Sequence, residues 1–140
     1  MIHKTDLKIR TYHTDAFGHV NNARYLELLE EARWQFSEDI GLTPLLRQQG
    51  LGFIIIDMQL RFRHAVSEGD TITVSTSLIT LGSASGEVQQ TVTSAATNKK
   101  SLTSLFHFIL IDRATGASVA IKDEIRTLLL GIIETPPQNK

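Results

Sequence analysis

The sequence predicts an α+β domain in which one antiparallel sheet wraps around one long central helix. Three observations predict it. A single long helical period runs over residues 23–38. From residue 52 onward the pattern turns to strands, one after another. The later strands are joined by turns of only about 3–5 residues, which makes sequence neighbours antiparallel.

The elements follow in chain order. Residues 7–12 alternate, Leu7 and Ile9 on one face and Lys8 and Arg10 on the other, and read as a strand. An irregular stretch over 13–20 holds Asp15 and Gly18. Asn21 or Asn22 can cap a helix, because a short side-chain oxygen can accept a free N–H of the first turn. Tyr25, Leu28, Leu29, Ala32 and Phe36 then fall at helical spacing, with Arg24, Glu27, Glu31 and Glu38 on other faces. Gly41 is the expected stop. Thr43-Pro44 has the chemistry of a second, short helix that ends near Gly50.

Beyond Gly52 the strand signal is strongest. Ile54, Ile56, Met58, Leu60 and Phe62 alternate with Ile55, Asp57, Gln59, Arg61 and Arg63. Further strands are expected over 71–81, 87–96, 101–111 and, briefly, 117–121. Residues 123–132 read as part strand and part helix. Residues 1–133 make one domain, and 134–140, with Pro136 and Pro137, read as a flexible C-terminal tail. One helix on a large sheet leaves edges uncovered, so a homodimer or homotetramer is expected.

Composition narrows the function. The 140 residues suit one domain able to bury its own core. There is no cysteine, which excludes disulfides, thiolate zinc sites and Cys nucleophiles, and fits the cytoplasm. Fourteen basic against 15 acidic residues, a net charge of −1, is not the footprint of a nucleic-acid protein. The longest apolar runs, 51–56 and 128–133, are too short for a membrane span. Residues 1–10 mix charges among apolar positions and do not read as a signal peptide. The five histidines lack metal-ligand spacing, and no glycine loop for phosphate appears, so no metal and no cofactor is expected. The run Gly82-Ser83-Ala84-Ser85-Gly86 has Ala where a nucleophile elbow needs Ser, and it joins two strands; it reads as a hairpin turn.

The informative segment is Tyr12-His13-Thr14-Asp15-Ala16-Phe17-Gly18-His19-Val20-Asn21-Asn22-Ala23-Arg24-Tyr25. It sets Asp15 and His19 directly before the N-terminus of the long helix. A helix start offers unpaired N–H groups and partial positive charge. A carboxylate beside it can act as base or nucleophile while the amides stabilise an oxyanion. Periodicity alone leaves the plainer account standing, in which Asp15 turns the chain and Asn22 caps the helix.

This segment resembles the signature of the hotdog-fold acyl-CoA thioesterases of the 4-hydroxybenzoyl-CoA thioesterase type. The run from His19-Val20-Asn21-Asn22 through Tyr25-Leu26-Glu27 to Glu30-Glu31-Ala32-Arg33-Trp34 resembles the long-chain acyl-CoA thioesterase branch. The resemblance implies a hotdog fold and hydrolysis of fatty acyl-CoA to free acid and coenzyme A. It implies that Asp15 is the catalytic carboxylate, activating water or attacking the thioester itself. It places the Asn22 backbone N–H at the thioester carbonyl and gives His19 and Tyr25 positioning roles. Ala16-Phe17 stands where the hydroxybenzoyl enzymes carry a Pro-containing variant, which points away from an aromatic substrate.

Other candidates come from charge. Among Glu27, Glu30 and Glu31, Glu30 is the preferred second carboxylate; solvated helix charge is the alternative for all three. Arg61 and Arg63, with His64 following, are candidates for the coenzyme A phosphates, and Lys99 and Lys100 come next; plain surface charge is the alternative. Three other functions remain open: an acyl-carrier-protein thioesterase, a hotdog enoyl hydratase or dehydratase using His19 with Glu30, and a non-catalytic acyl-CoA-binding protein.

Overall fold

The structure is a computed structural model and describes residues 1–134. Five strands form one antiparallel sheet: β1 (His3–Lys8), β2 (Leu51–Phe62), β3 (Thr71–Leu81), β4 (Ser85–Ser94) and β5 (Lys100–Asp112). Their order is β1-β3-β4-β5-β2. Strands β3 to β5 form a meander, as short turns require. The two ends of the sheet are β1 and β2, each with one neighbour.

The helices are α1 (Asn22–Asp39), α2 (Leu42–Gln49) and α3 (Asp123–Leu130). Helix α1 buries Tyr25, Leu28, Leu29, Ala32 and Phe36, the stripe expected from the sequence. It packs on the concave face of the sheet, against residues such as Ile72, Leu78, Val92, Leu102 and Phe106. Each fully buried Leu here is worth about 2–5 kcal/mol against truncation to Ala.

Several expectations shift. The first strand is His3–Lys8 rather than 7–12, and Thr11–His13 form a 3-10 turn. Pairing decides this: Lys8 opposite Thr71, at the start of β3, ends the β1–β3 ladder. Helix α2 starts at Leu42 behind Gly41, and the Thr43 hydroxyl donates to Ser37 Oγ instead of capping. The expected strand over 117–121 is reduced to one bridge, Ser118 with Ile111. Residues 123–132 resolve largely into helix α3. Of the expected tail, Glu134 donates its N–H to Leu78 O and its carboxylate pairs with the Met1 amino group; residues 135–140 lie outside the described residues.

The long strand departs most from a strict period. A bulge falls between Ile55 and Asp57, so that Ile55 pairs with Phe108 and Asp57 with His107. The extra residue switches faces. Ile55 therefore joins Met58 and Leu60 against the core, while Ile54 and Ile56 stay 43% and 55% exposed.

Asp57, His107 and Glu87 meet on the convex side, on three adjacent strands. The Asp57 hydrogen bond raises the imidazole above its usual pKa, with Glu87 adding to it. On β4, Gly86 has no room for a side chain: a Cβ would lie 2.5 Å from the Phe108 ring and 2.7 Å from Thr80 O.

Candidate active site

The segment before α1 folds into a tight reversal. Asp15 N–H donates to His19 O, and Gly18 N–H returns to Asp15 O. Gly18 sits at φ +74°, a conformation that L side chains resist. Thr14 and Val20 bridge across the base of the turn.

This geometry fixes the Asp15 carboxylate. Its Oδ1 accepts the N–H of Phe17 at 2.9 Å and of His19 at 3.3 Å. Among the described residues no group bonds Oδ2. One oxygen is thus anchored and the other is free to act on a substrate. The side chain lies on the surface of the single chain, next to Phe17, which is 83% exposed.

Helix α1 begins beside it. The cap is Asn21, whose Oδ1 accepts Ala23 N–H at 2.8 Å. Asn22 is the first helical residue, and among the described residues its N–H has no acceptor. A free amide at the positive end of an 18-residue helix is suited to a developing oxyanion.

The other expected positions divide. His19 is exposed, and its backbone joins the turn to Ser67. Tyr25 is buried, with its ring 5.7 Å from Phe62. Burial raises the Tyr25 hydroxyl above the usual phenol pKa, against a smaller pull from its hydrogen bond to Ser101. It anchors α1 to the sheet rather than meeting Asp15.

Arg61, Arg63 and His64 are exposed at the end of β2, where the chain turns to run along the Asp15 loop. Arg63 Nε donates to Thr103 Oγ1, and Val20 N–H to Val66 O braces the two segments. Glu27 pairs with Arg24, and Glu31 accepts from Gln35; Glu30 instead lines a cavity.

That cavity, about 480 Å³, lies between α1, α2 and the near halves of β2 and β5. Phe36, Leu42, Leu46, Phe53, Ile55 and Phe108 give it an apolar wall. Its size and lining suit a small-molecule tail. None of residues 12–25 or 61–68 reaches it. Along α1, Arg33 stands ~16 Å beyond Asn22 at the helical rise. Within one chain, the carboxylate and the cavity are therefore at opposite ends.

His13 is a residue that sequence reasoning gave no role. Its Nδ1 accepts Arg10 N–H at 2.8 Å, and its carbonyl accepts Asn21 N–H. It ties the 3-10 turn to the helix cap, and only the fold reveals this. Burial first, then Arg24, hold its pKa below the usual histidine value, so the neutral ring accepts that bond. A folded pKa below the unfolded one adds stability above about pH 6.5, which is lost as pH falls through the folded value. Melting curves between neutral and mildly acid pH should therefore show a steeper acid loss for the wild type than for His13→Gln. Parallel curves would remove His13 from the account.

Comparison with known proteins identifies the family and the fold. Residues 9–129 match the family described as the thioesterase-like superfamily. The chain is 32% identical over 126 residues to the long-chain acyl-CoA thioesterase FadM of Escherichia coli, covering 90% of this chain and 96% of that one. It superposes on the crystal structure of YbaW, a probable thioesterase from Escherichia coli, with a TM-score of 0.83 and 31% identity over 94% of this chain and 98% of that one. In fold alone it also matches SAV2348 of Staphylococcus aureus, solved in complex with CoA, with a TM-score of 0.86 and 14% identity over 100% of this chain and 90% of that one. The wrapped sheet, the central helix and a family match that spans the Asp15 turn and α1 together make this chain a hotdog-fold member of the thioesterase-like superfamily.

Proposed function

We propose that this protein is a cytoplasmic thioesterase that hydrolyses long-chain fatty acyl-CoA, with Asp15 as its catalytic carboxylate. The observation that carries the reading is Asp15 itself: one oxygen is held by two amides, the other is free, and the open end of α1 lies beside it. Asp15 takes a proton from water as the water oxygen attacks the thioester carbon. The Asn22 N–H stabilises the charge that forms on the carbonyl oxygen. Collapse expels the thiolate of coenzyme A, which receives the proton from Asp15. Direct attack by the carboxylate, through an anhydride that water then opens, uses the same groups. The E. coli relative's long-chain acyl-CoA activity supports both the carrier and the chain length.

The active form we propose is a homodimer built on β2, with a tetramer of such dimers compatible with it. Strand β2 is a 12-residue sheet edge with exposed Ile54, Ile56 and Phe62. A long apolar edge is a template for pairing. Antiparallel pairing of β2 with its copy about a two-fold axis sets Phe62 of one chain near Leu51 of the other. Asp15 is braced near the Phe62 end, and the cavity opens near the Leu51 end. Each site then combines Asp15 of one chain with the cavity of its partner. Glu30, on the cavity wall, belongs to the partner's half of that site.

Thiol release across a series of acyl-CoA chain lengths tests the reading. Long chains should give the highest kcat/KM; hydration of an enoyl-CoA, or binding without turnover, would replace it. Arg61 and Arg63 are proposed to hold the coenzyme A phosphates, with His64 beside them. Either Arg→Ala change should raise KM several-fold to ~100-fold with little change in kcat. Unchanged kinetic constants at low salt would move the phosphate site to Lys99 and Lys100.

A further inference from the structure

Arg33 is a charge that the mechanism does not use. It stands on the inner side of α1 and lines the apolar cavity. One guanidinium nitrogen donates to Gln90 Oε1 at 3.0 Å. Its plane lies over the Phe106 ring, 4.7 Å from the centroid. Gln90 is fully buried and is itself held in place, its amide donating to Leu29 O and Thr76 Oγ1, both at 3.0 Å. Among the described residues no carboxylate lies within 4 Å of the guanidinium. Glu30, one turn away, favours the charge but does not bond it, and burial pulls the pKa of Arg33 below the usual arginine value.

Among the described residues, four of the five guanidinium N–H donors are thus left without a protein acceptor. Leaving a charge half-buried and unpaired is costly, and here the ring below and the glutamine beside it hold that charge in a fixed place. Arg47 and Arg113 also line the cavity, against Glu30 as its one acidic group. The remaining polar neighbours, Ser37 and Thr43, are bonded to each other. The surplus is positive, and the planar fork of Arg33 matches a carboxylate.

We infer that Arg33 is a specificity-determining residue that binds a carboxylate at the far end of the acyl chain, so that the preferred substrates are CoA monothioesters of dicarboxylic acids. This rests on the thioesterase reading above and names the substrate class for the same site.

The test uses three CoA thioesters of one chain length: plain, with a terminal hydroxyl, and with a terminal carboxylate. The wild-type oligomer should hydrolyse the carboxylated chain with kcat/KM ~10-fold or more above the plain one, the hydroxylated chain falling between. Arg33→Met, similar in length but without donors, should lose ~10–100-fold on the carboxylated chain, mainly in KM, and the ratio of carboxylated to plain kcat/KM should fall to about 1. If Arg33→Met does not fold, Arg33→Lys takes its place and should keep a reduced preference for the carboxylate over the hydroxyl. Hydrolysis of the plain chain with no carboxylate preference overturns the role of Arg33 alone. A preference that survives Arg33→Met does the same. No thiol release from any of the three overturns the thioesterase reading itself.

Discussion

Asp15→Ala is expected to lower thioester turnover by at least ~100-fold with the fold intact, the scale of losing a general base or nucleophile. The side chain is exposed, and its removal takes away two hydrogen bonds from backbone amides at the surface, so the stability cost is small beside the catalytic one. Asp15→Asn keeps an oxygen for those amides and removes the charge. It should therefore retain the turn and still lose turnover. Thiol release by either folded variant at near wild-type rates would remove Asp15 from the chemistry. Circular dichroism and melting temperature serve as the control on folding.

The second large effect concerns the β2 edge. Ile54→Lys with Ile56→Lys places two charges where the apolar edge meets its copy, the device by which natural sheets prevent pairing. Light scattering should then report a monomer, and turnover should fall with it, because Asp15 and the cavity lie at opposite ends of one chain. The strand spans ~36 Å at the usual rise per residue, too far for one chain to close that gap alone. A complementation experiment sharpens the point. Subunits carrying Asp15→Ala, mixed with subunits whose cavity is filled by Val88→Trp, should recover activity that neither parent has, since one site per mixed dimer regains both halves. A fully active monomer, or mixtures no better than their parents, would show that each chain works alone.

Much of this was legible in the residues. The helical stripe from Tyr25 to Phe36 is an amphipathic signal that any partner surface would satisfy, so local period sufficed to locate α1. The meander from β3 to β5 follows from short turns, which leave no alternative to antiparallel neighbours. Asp15 stood out through the resemblance of residues 12–34 to a family signature; the local pattern alone left it a turn residue before a capped helix. Other features were out of reach. The extent of β1 depends on its register with β3, which begins more than sixty residues later. The bulge at Ile56 breaks the alternation through pairing with β5, and nothing in an unbroken run of isoleucines announces it. Gln90 reads as one more polar residue on a strand, yet it is buried and supports Arg33.

By itself, then, the sequence determined the class of fold, the central helix and the segment that presents Asp15, because each is encoded by neighbours in the chain: turn chemistry, capping and a period of 3.6 or 2. Tertiary structure alone decided which strand is left as the free edge, where the cavity opens and which charge is enclosed beside it. Those depend on strand order, on register and on one bulged residue, contacts between positions 40 to 73 residues apart in the pairings of β1 and β2, whose effect on a side chain reverses with a single step along the strand.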